Sequence, residues 1–185
     1  MEIFIVIVVV VIVVGIFIAS IYNKLVRLRN GVKSAWSDID VYLKKRYNLV
    51  PGLVETVKGY ATHEKEVFEK VTEARSRAMQ AASPNEAARS DNMLKDTLKS
   101  LFAVAEAYPE LKANQNFLEF QKQFQEIEDS IESARRYYNA VVRDFNILIE
   151  SFPSNIIASM FSFKQEEFFE LDNEDERKPI RPDFS

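Results

Sequence analysis

The chain has 185 residues, 47% of them apolar, a formal charge of −4, four glycines, six prolines and no cysteine. Disulfides, thiolate catalysis and zinc–cysteine sites are therefore excluded, and ordered helices are favoured over a low-complexity or disordered chain. The charge is uneven: Glu166–Ser185 holds eight acids against three bases, so nucleic acid is not an expected partner.

Residues 3–21 form an uncharged apolar run interrupted only by Gly15 and Ser20. As a helix this run covers roughly 30 Å, the hydrocarbon thickness of a bilayer. Valine and isoleucine dominate it, but a lone strand in lipid would leave its backbone unpaired, so a helix is required. Residues 1–22 are thus predicted to be a transmembrane anchor. Only Met1 and Glu2 precede the run and Tyr22-Asn23-Lys24 follows it, so no cleaved signal is expected. Lys24, Arg27, Arg29 and Lys33 all precede the first downstream acid, Asp38. That bias predicts a short outer N-terminus and a cytoplasmic main body.

Beyond the anchor, residues 23–171 read as one helical bundle domain. Leu25, Leu28, Val32, Ala35, Ile39 and Tyr42 recur at three and four residues, widened by Trp36 and Leu43, and predict an amphipathic helix running to about Asn48. Gly31 weakens it by only about 1 kcal/mol. Pro51 is expected to open a second helix whose apolar face, from Leu53 through Val71 to Ala81, ends near Ala82. Ser83-Pro84-Asn85-Glu86 is a start signal for a third, with Ser83 as cap, and Pro109 is expected to stop it.

The fourth helix, Asn116 to Phe152, carries the clearest pattern. Phe117, Phe124, Ile131, Tyr138, Phe145 and Phe152 recur every seven residues, with Phe120, Ile127, Ala134, Val141 and Leu148 as a second seam. Such a repeat predicts coiled-coil-like packing against neighbouring helices. The fold class is accordingly all-α: an N-terminal transmembrane helix leading into an antiparallel bundle of three to four long helices. After Pro153, an apolar group from Ile156, Ile157, Met160 and Phe161 to Leu171 needs cover, from the bundle itself, from another subunit or protein, or from the membrane surface. Residues 172–185 read as an acidic disordered tail.

Several of these segments resemble the LemA family of bacterial membrane proteins. The resemblance lies in Ala35-Trp36-Ser37-Asp38-Ile39-Asp40-Val41, Lys44-Lys45-Arg46, Leu49-Val50-Pro51 and the run from Leu53 to Ala61. It continues through Ala105 to Asn114, Arg135-Arg136-Tyr137-Tyr138-Asn139 and Phe152-Pro153-Ser154-Asn155. Two departures are Gly52, where the family often has asparagine, and Ser162, where it has glycine. The resemblance implies a single-pass protein of the bacterial cytoplasmic membrane bearing a helical bundle, and no established catalytic residues. Relatives encoded near a heat-shock type membrane metalloprotease, and a branch that shapes magnetosome membranes, make an adaptor role the analogy.

Reactive chemistry finds little support. His63-Glu64 opens like a zincin motif, but Val67 stands where the second histidine belongs. A serine nucleophile would have only His63 as a histidine base. Glu126, Glu128, Asp129 and Glu132 lack the Glu-x-x-His pairs of a di-iron bundle and read as a solvated face balanced by Arg135 and Arg136. No enzyme, cofactor, metal or small-molecule substrate is expected.

Two clusters are candidate protein contacts. Trp36, Asp38, Asp40, Lys44, Lys45 and Arg46 combine the one tryptophan with opposed charges, although Trp36 alone reads first as core. Arg135, Arg136, Tyr137 and Asn139 flank the heptad seam, where polar groups more often fix register. The expected partners are the lipid bilayer and membrane-associated proteins, copies of this chain included. The function read from the sequence is a membrane-anchored scaffold or adaptor, with a regulatory subunit of a membrane protein such as that metalloprotease as the alternative.

Overall fold

A computed structural model describes residues 1–169, and the tail expected at 172–185, with Leu171, lies outside the described residues. The described residues are helical throughout, without strands: α1 Glu2–Lys58, α2 Lys65–Ala78, α3 Pro84–Glu106, α4 Pro109–Lys112, α5 Gln115–Glu150 and α6 Ser154–Met160. They divide into two compact units. One comprises Met1–Leu43 and Ile127–Phe168; the other comprises Lys44–Glu126 and Phe169, the last described residue. Both α1 and α5 contribute to each unit.

In the first unit, Leu25, Val32, Ala35, Ile39 and Leu43 of α1 are buried, as are Ile131, Tyr138, Val142 and Phe145 of α5. The two helices run antiparallel. Gly31 lies against Val141, with only 3.4 Å between an added Cβ and the valine methyl, and the Trp36 and Tyr138 rings are 5.9 Å apart. An alanine methyl at 31 would sit in ordinary contact with Val141.

α5 ends at Glu150, two residues earlier than its heptads suggest, and Phe152 is 80% exposed instead of closing the seam. The local hydrogen bonds show why. Ser151 donates to the Ile147 carbonyl, while buried Ser154 donates to the carbonyls of Leu148 and Ser151, so the last turn is closed by side chains and the backbone leaves the helix axis. At the far end of α6 the Phe163 N–H reaches the Ala158 carbonyl at 2.9 Å, a Schellman closure that places Ser162 in the left-handed region at φ 56°. This is the position where the family resemblance calls for glycine. Ser162→Gly is expected to raise stability by about 0.5–1 kcal/mol, read from the urea midpoint in detergent, because the side chain's steric cost disappears.

In the second unit, the helix break expected at Pro51 does not occur. α1 continues through Pro51 to Lys58, and the turn falls at Gly59 to Glu64. A proline in a helix interior strands the carbonyl four residues earlier, here that of Tyr47. Arg75 of α2 donates its Nε to that carbonyl at 2.7 Å, so tertiary structure supplies the missing bond. The helix expected over 51–82 is consequently two elements, the end of α1 and α2. Ser83 caps α3 as expected, accepting from the Glu86 N–H at 3.2 Å, while the Glu86 carboxylate accepts from the Ala82 N–H. Pro109 does not end α3, which stops at Glu106, but starts the single turn α4. Asn114 then begins α5: its Oδ1 accepts from the backbone of Asn116 and Phe117, and its Nδ2 donates to the Tyr60 hydroxyl. Phe102 packs edge-on against Phe124 and tilted against Phe117.

Candidate functional site

The two clusters singled out in the sequence fall on helices, where a spacing of 3.6 residues spreads neighbours around the axis. On α1, Trp36 and Asp40 share one half-buried strip beside the seam, whereas Asp38 is exposed about 160° away. Trp36 is therefore partly core, stacked at a tilt on Tyr138. In the second unit Lys44 and Lys45 are exposed, but Arg46 is 2% exposed and not available as a surface contact.

Arg46 is instead half of a buried ion pair. Its Nη1 lies 2.7 Å from both carboxylate oxygens of Asp91 on α3, itself 4% exposed. The positions explain the burial. Leu25, Val32, Ile39, Arg46 and Leu53 are successive heptad sites of α1, and Asp91, Leu98 and Ala105 are successive sites of α3. Two charges thus occupy core positions, and burial is tolerable only because they meet. Asp91 was missed in the sequence, although one acid interrupting an apolar seven-residue series is a readable signal.

On α5, Arg135 and Asn139 are half-buried along one strip, Arg136 is exposed and paired to Glu132 at 2.7 Å, and Tyr137 is 59% exposed. The cluster is split between a strip beside the core and a solvent face. The α5 acids lie on exposed or half-buried positions, and among the described residues no group of three or more histidines, aspartates and glutamates is placed to hold a metal ion. An open groove of about 850 Å³ on the second unit is lined by Lys58, Lys65, Phe68, Glu69 and Thr72 among others, with the Lys58 ammonium 5.5 Å from the Phe68 ring.

The first unit carries a more organised feature, formed by the segment after α5. Phe161 packs at a tilt against Tyr22 at 4.7 Å, Phe163 meets Tyr22 edge-on at 5.9 Å, and Phe163 also meets Phe145 edge-on at 6.3 Å. The Arg29 guanidinium lies 5.0 Å over the Phe163 ring, and its Nε is buried without a hydrogen-bond partner. Residues 163–167 then run back along α5 as a strap. Asn146 holds the backbone of Glu166 through both its amide atoms, at 2.9 and 3.0 Å, and the Tyr138 hydroxyl donates to the Glu167 carbonyl at 2.8 Å. The apolar group after Pro153 is therefore divided: Ile157, Phe163 and Phe169 are buried, whereas Ile156, Met160 and Phe161 are exposed.

Burial first, then the charges of Glu166 and Glu167, push the Tyr138 phenol up to about 12 from its ordinary 10. A raised value means that folding favours the neutral phenol. Its contribution is complete below pH 10 and is lost as pH rises towards 12. The urea midpoint of the chain in detergent is expected to fall over that interval. Tyr138→Phe should flatten the fall while costing about 1 kcal/mol at neutral pH through the lost bond to Glu167.

A sequence model of the LemA family matches residues 35–184. Protein LemA of Metamycoplasma hominis is 30% identical over 140 residues, covering 74% of this chain and 63% of that protein. Magnetosome protein MamQ 2 of Paramagnetospirillum magneticum is 24% identical over 183 residues, covering 83% and 67%, and magnetosome protein MamQ of Magnetospirillum gryphiswaldense is 21% identical over 174, covering 80% and 64%. The chain spans about two thirds of the length of these relatives.

Proposed function

Since this chain belongs to the LemA family, we propose that it is a membrane-anchored helical scaffold or adaptor, acting through protein contacts and self-association at the bacterial cytoplasmic membrane. The observation that carries this reading is the start of α1. Residues 3–17 are all exposed, in a helix long and apolar enough to cross a membrane, and the same helix continues without interruption into the packed part of the chain. An apolar rod of this kind has no place in water. The basic residues from Lys24 to Lys33 support a cytoplasmic body and a short outer N-terminus.

A non-catalytic role is supported by the relatives' names, which state no reaction, and two of which are magnetosome proteins. Confinement to a plane raises the effective concentration of neighbouring membrane proteins, so weak lateral contacts suffice. Trp36 with Asp40, Asp38, Lys44 with Lys45, and Arg135, Arg136, Tyr137 with Asn139 are the proposed contact residues. Cross-linking in native membranes tests the proposal. A ladder of self-links supports a self-assembling scaffold, whereas a single dominant foreign band points to a dedicated regulatory subunit of a membrane enzyme. Recovery of the intact chain in the soluble fraction would defeat both.

A further inference from the structure

We infer that the turn after α5, residues 151–163, is a second membrane contact: a foot whose exposed apolar side chains enter the bilayer interface beside the span. The inference rests on the reading of residues 3–21 as that span. It follows first from register. Gly31 faces Val141, and nine residues from each along the antiparallel pair, about 14 Å, lie Tyr22 and Glu150. α5 therefore ends level with Tyr22, the residue that directly follows the apolar run of α1. The connection that follows sits at the bilayer boundary, and the tilted packing of Phe161 against Tyr22 at 4.7 Å holds it there.

A second observation is independent of that register. Ile18 and Ile21 alone among residues 3–21 are half-buried, so the cover of the first unit begins one turn inside the apolar run. Whatever packs there lies within reach of lipid chains. The third is composition: Ser151 to Phe163 contains no charged residue, the longest such run outside the anchor, and is bounded by Glu150 and Lys164. Its inward side is settled, since Ser154, Ile157 and Ala158 are buried. Its outward side shows Phe152 at 80%, Met160 at 70%, Ile156 at 53% and Phe161 at 49% exposure. Apolar groups in that number, on an uncharged turn already touching the end of a span, are what an interfacial element presents to the headgroup and acyl boundary. The occupant of this face is the phospholipid bilayer that holds the anchor, and the foot would fix the rotation of the bundle about the span.

The absence of cysteine makes the test direct. Single variants Met160→Cys, Ile156→Cys, Val10→Cys and Ser133→Cys of the full chain are labelled with a nitroxide and reconstituted into phosphatidylcholine–phosphatidylglycerol vesicles. Accessibility is then compared for oxygen, which enters lipid, and a water-soluble nickel chelate. All four native side chains are exposed, so the labels report environment and do not challenge the core. Labels at 160 and 156 are expected to give an oxygen-to-nickel ratio clearly above that at 133 and below that of the mid-span label at 10, as an interfacial depth requires. If 156 and 160 match 133 while 10 reads as lipid, the foot is wrong and the anchor stands. If 10 itself reads as water, the anchor reading fails and the foot with it. Exclusion of both reagents at 156 and 160, with spin–spin broadening, would assign the face to a second copy and overturn the inference.

Discussion

Replacing Asp91 with alanine is expected to cost about 3–5 kcal/mol of stability, because it leaves the Arg46 guanidinium buried without the carboxylate that compensates it. Arg46→Ala should cost a similar amount, measured by urea unfolding in detergent and followed by circular dichroism. The double variant Arg46→Met with Asp91→Leu fills the same space with apolar groups. It should recover most of the loss, and the thermodynamic cycle should show strong coupling. Additive single costs, with the double variant as unstable as their sum, would mean that the pair is not the interaction that holds these residues in the core. What the pair contributes is registry: with both partners fixed along their helices, a one-turn slide of α3 would strand two charges.

The second large effect is expected at the Pro51 carbonyl gap. Arg75→Ala should cost about 1.5–3 kcal/mol, the range for a hydrogen bond from a charged donor whose buried acceptor is left unmatched. In a Pro51→Ala background residue 51 regains an N–H, the helix can bond the Tyr47 carbonyl itself, and the same Arg75→Ala change should cost well under half as much. Pro51→Ala alone is expected to be neutral or stabilising, since interior proline carries a helix penalty of up to about 3 kcal/mol. Equal costs of Arg75→Ala in both backgrounds would show that Arg75 acts elsewhere. The proline is then a device that makes α1 depend on α2: removing it turns a tertiary requirement into a local one.

Start signals and seams were legible because they act over one to seven residues. Ser83 and Glu86 cap α3 as their spacing requires, and Phe117, Phe124, Ile131, Tyr138 and Phe145 are all buried on the stripe their period defines. Pro51 was misread because its local preference for a helix start was outweighed by a donor 24 residues away in sequence. Phe152 continued the heptad arithmetic but not the helix, since serine hydroxyls closed the last turn first. Arg46 looked like a surface cation for want of its partner, 45 residues distant.

Periodicity, hydropathy and punctuation by themselves determined the helical class, the apolar rod at the N-terminus, the direction its flanking charges favour, and which faces of α1, α3 and α5 are core. Each follows from transfer free energies and backbone geometry that adjacent residues share. Only the tertiary structure decided that α1 passes through its proline, that Arg46 and Asp91 share the interior, and that the turn after α5 returns to the end of the apolar run with its aromatic and aliphatic tips outward. Those outcomes depend on which distant donors, acceptors and rings meet, and a one-dimensional pattern carries no information about such meetings until the helices are brought side by side.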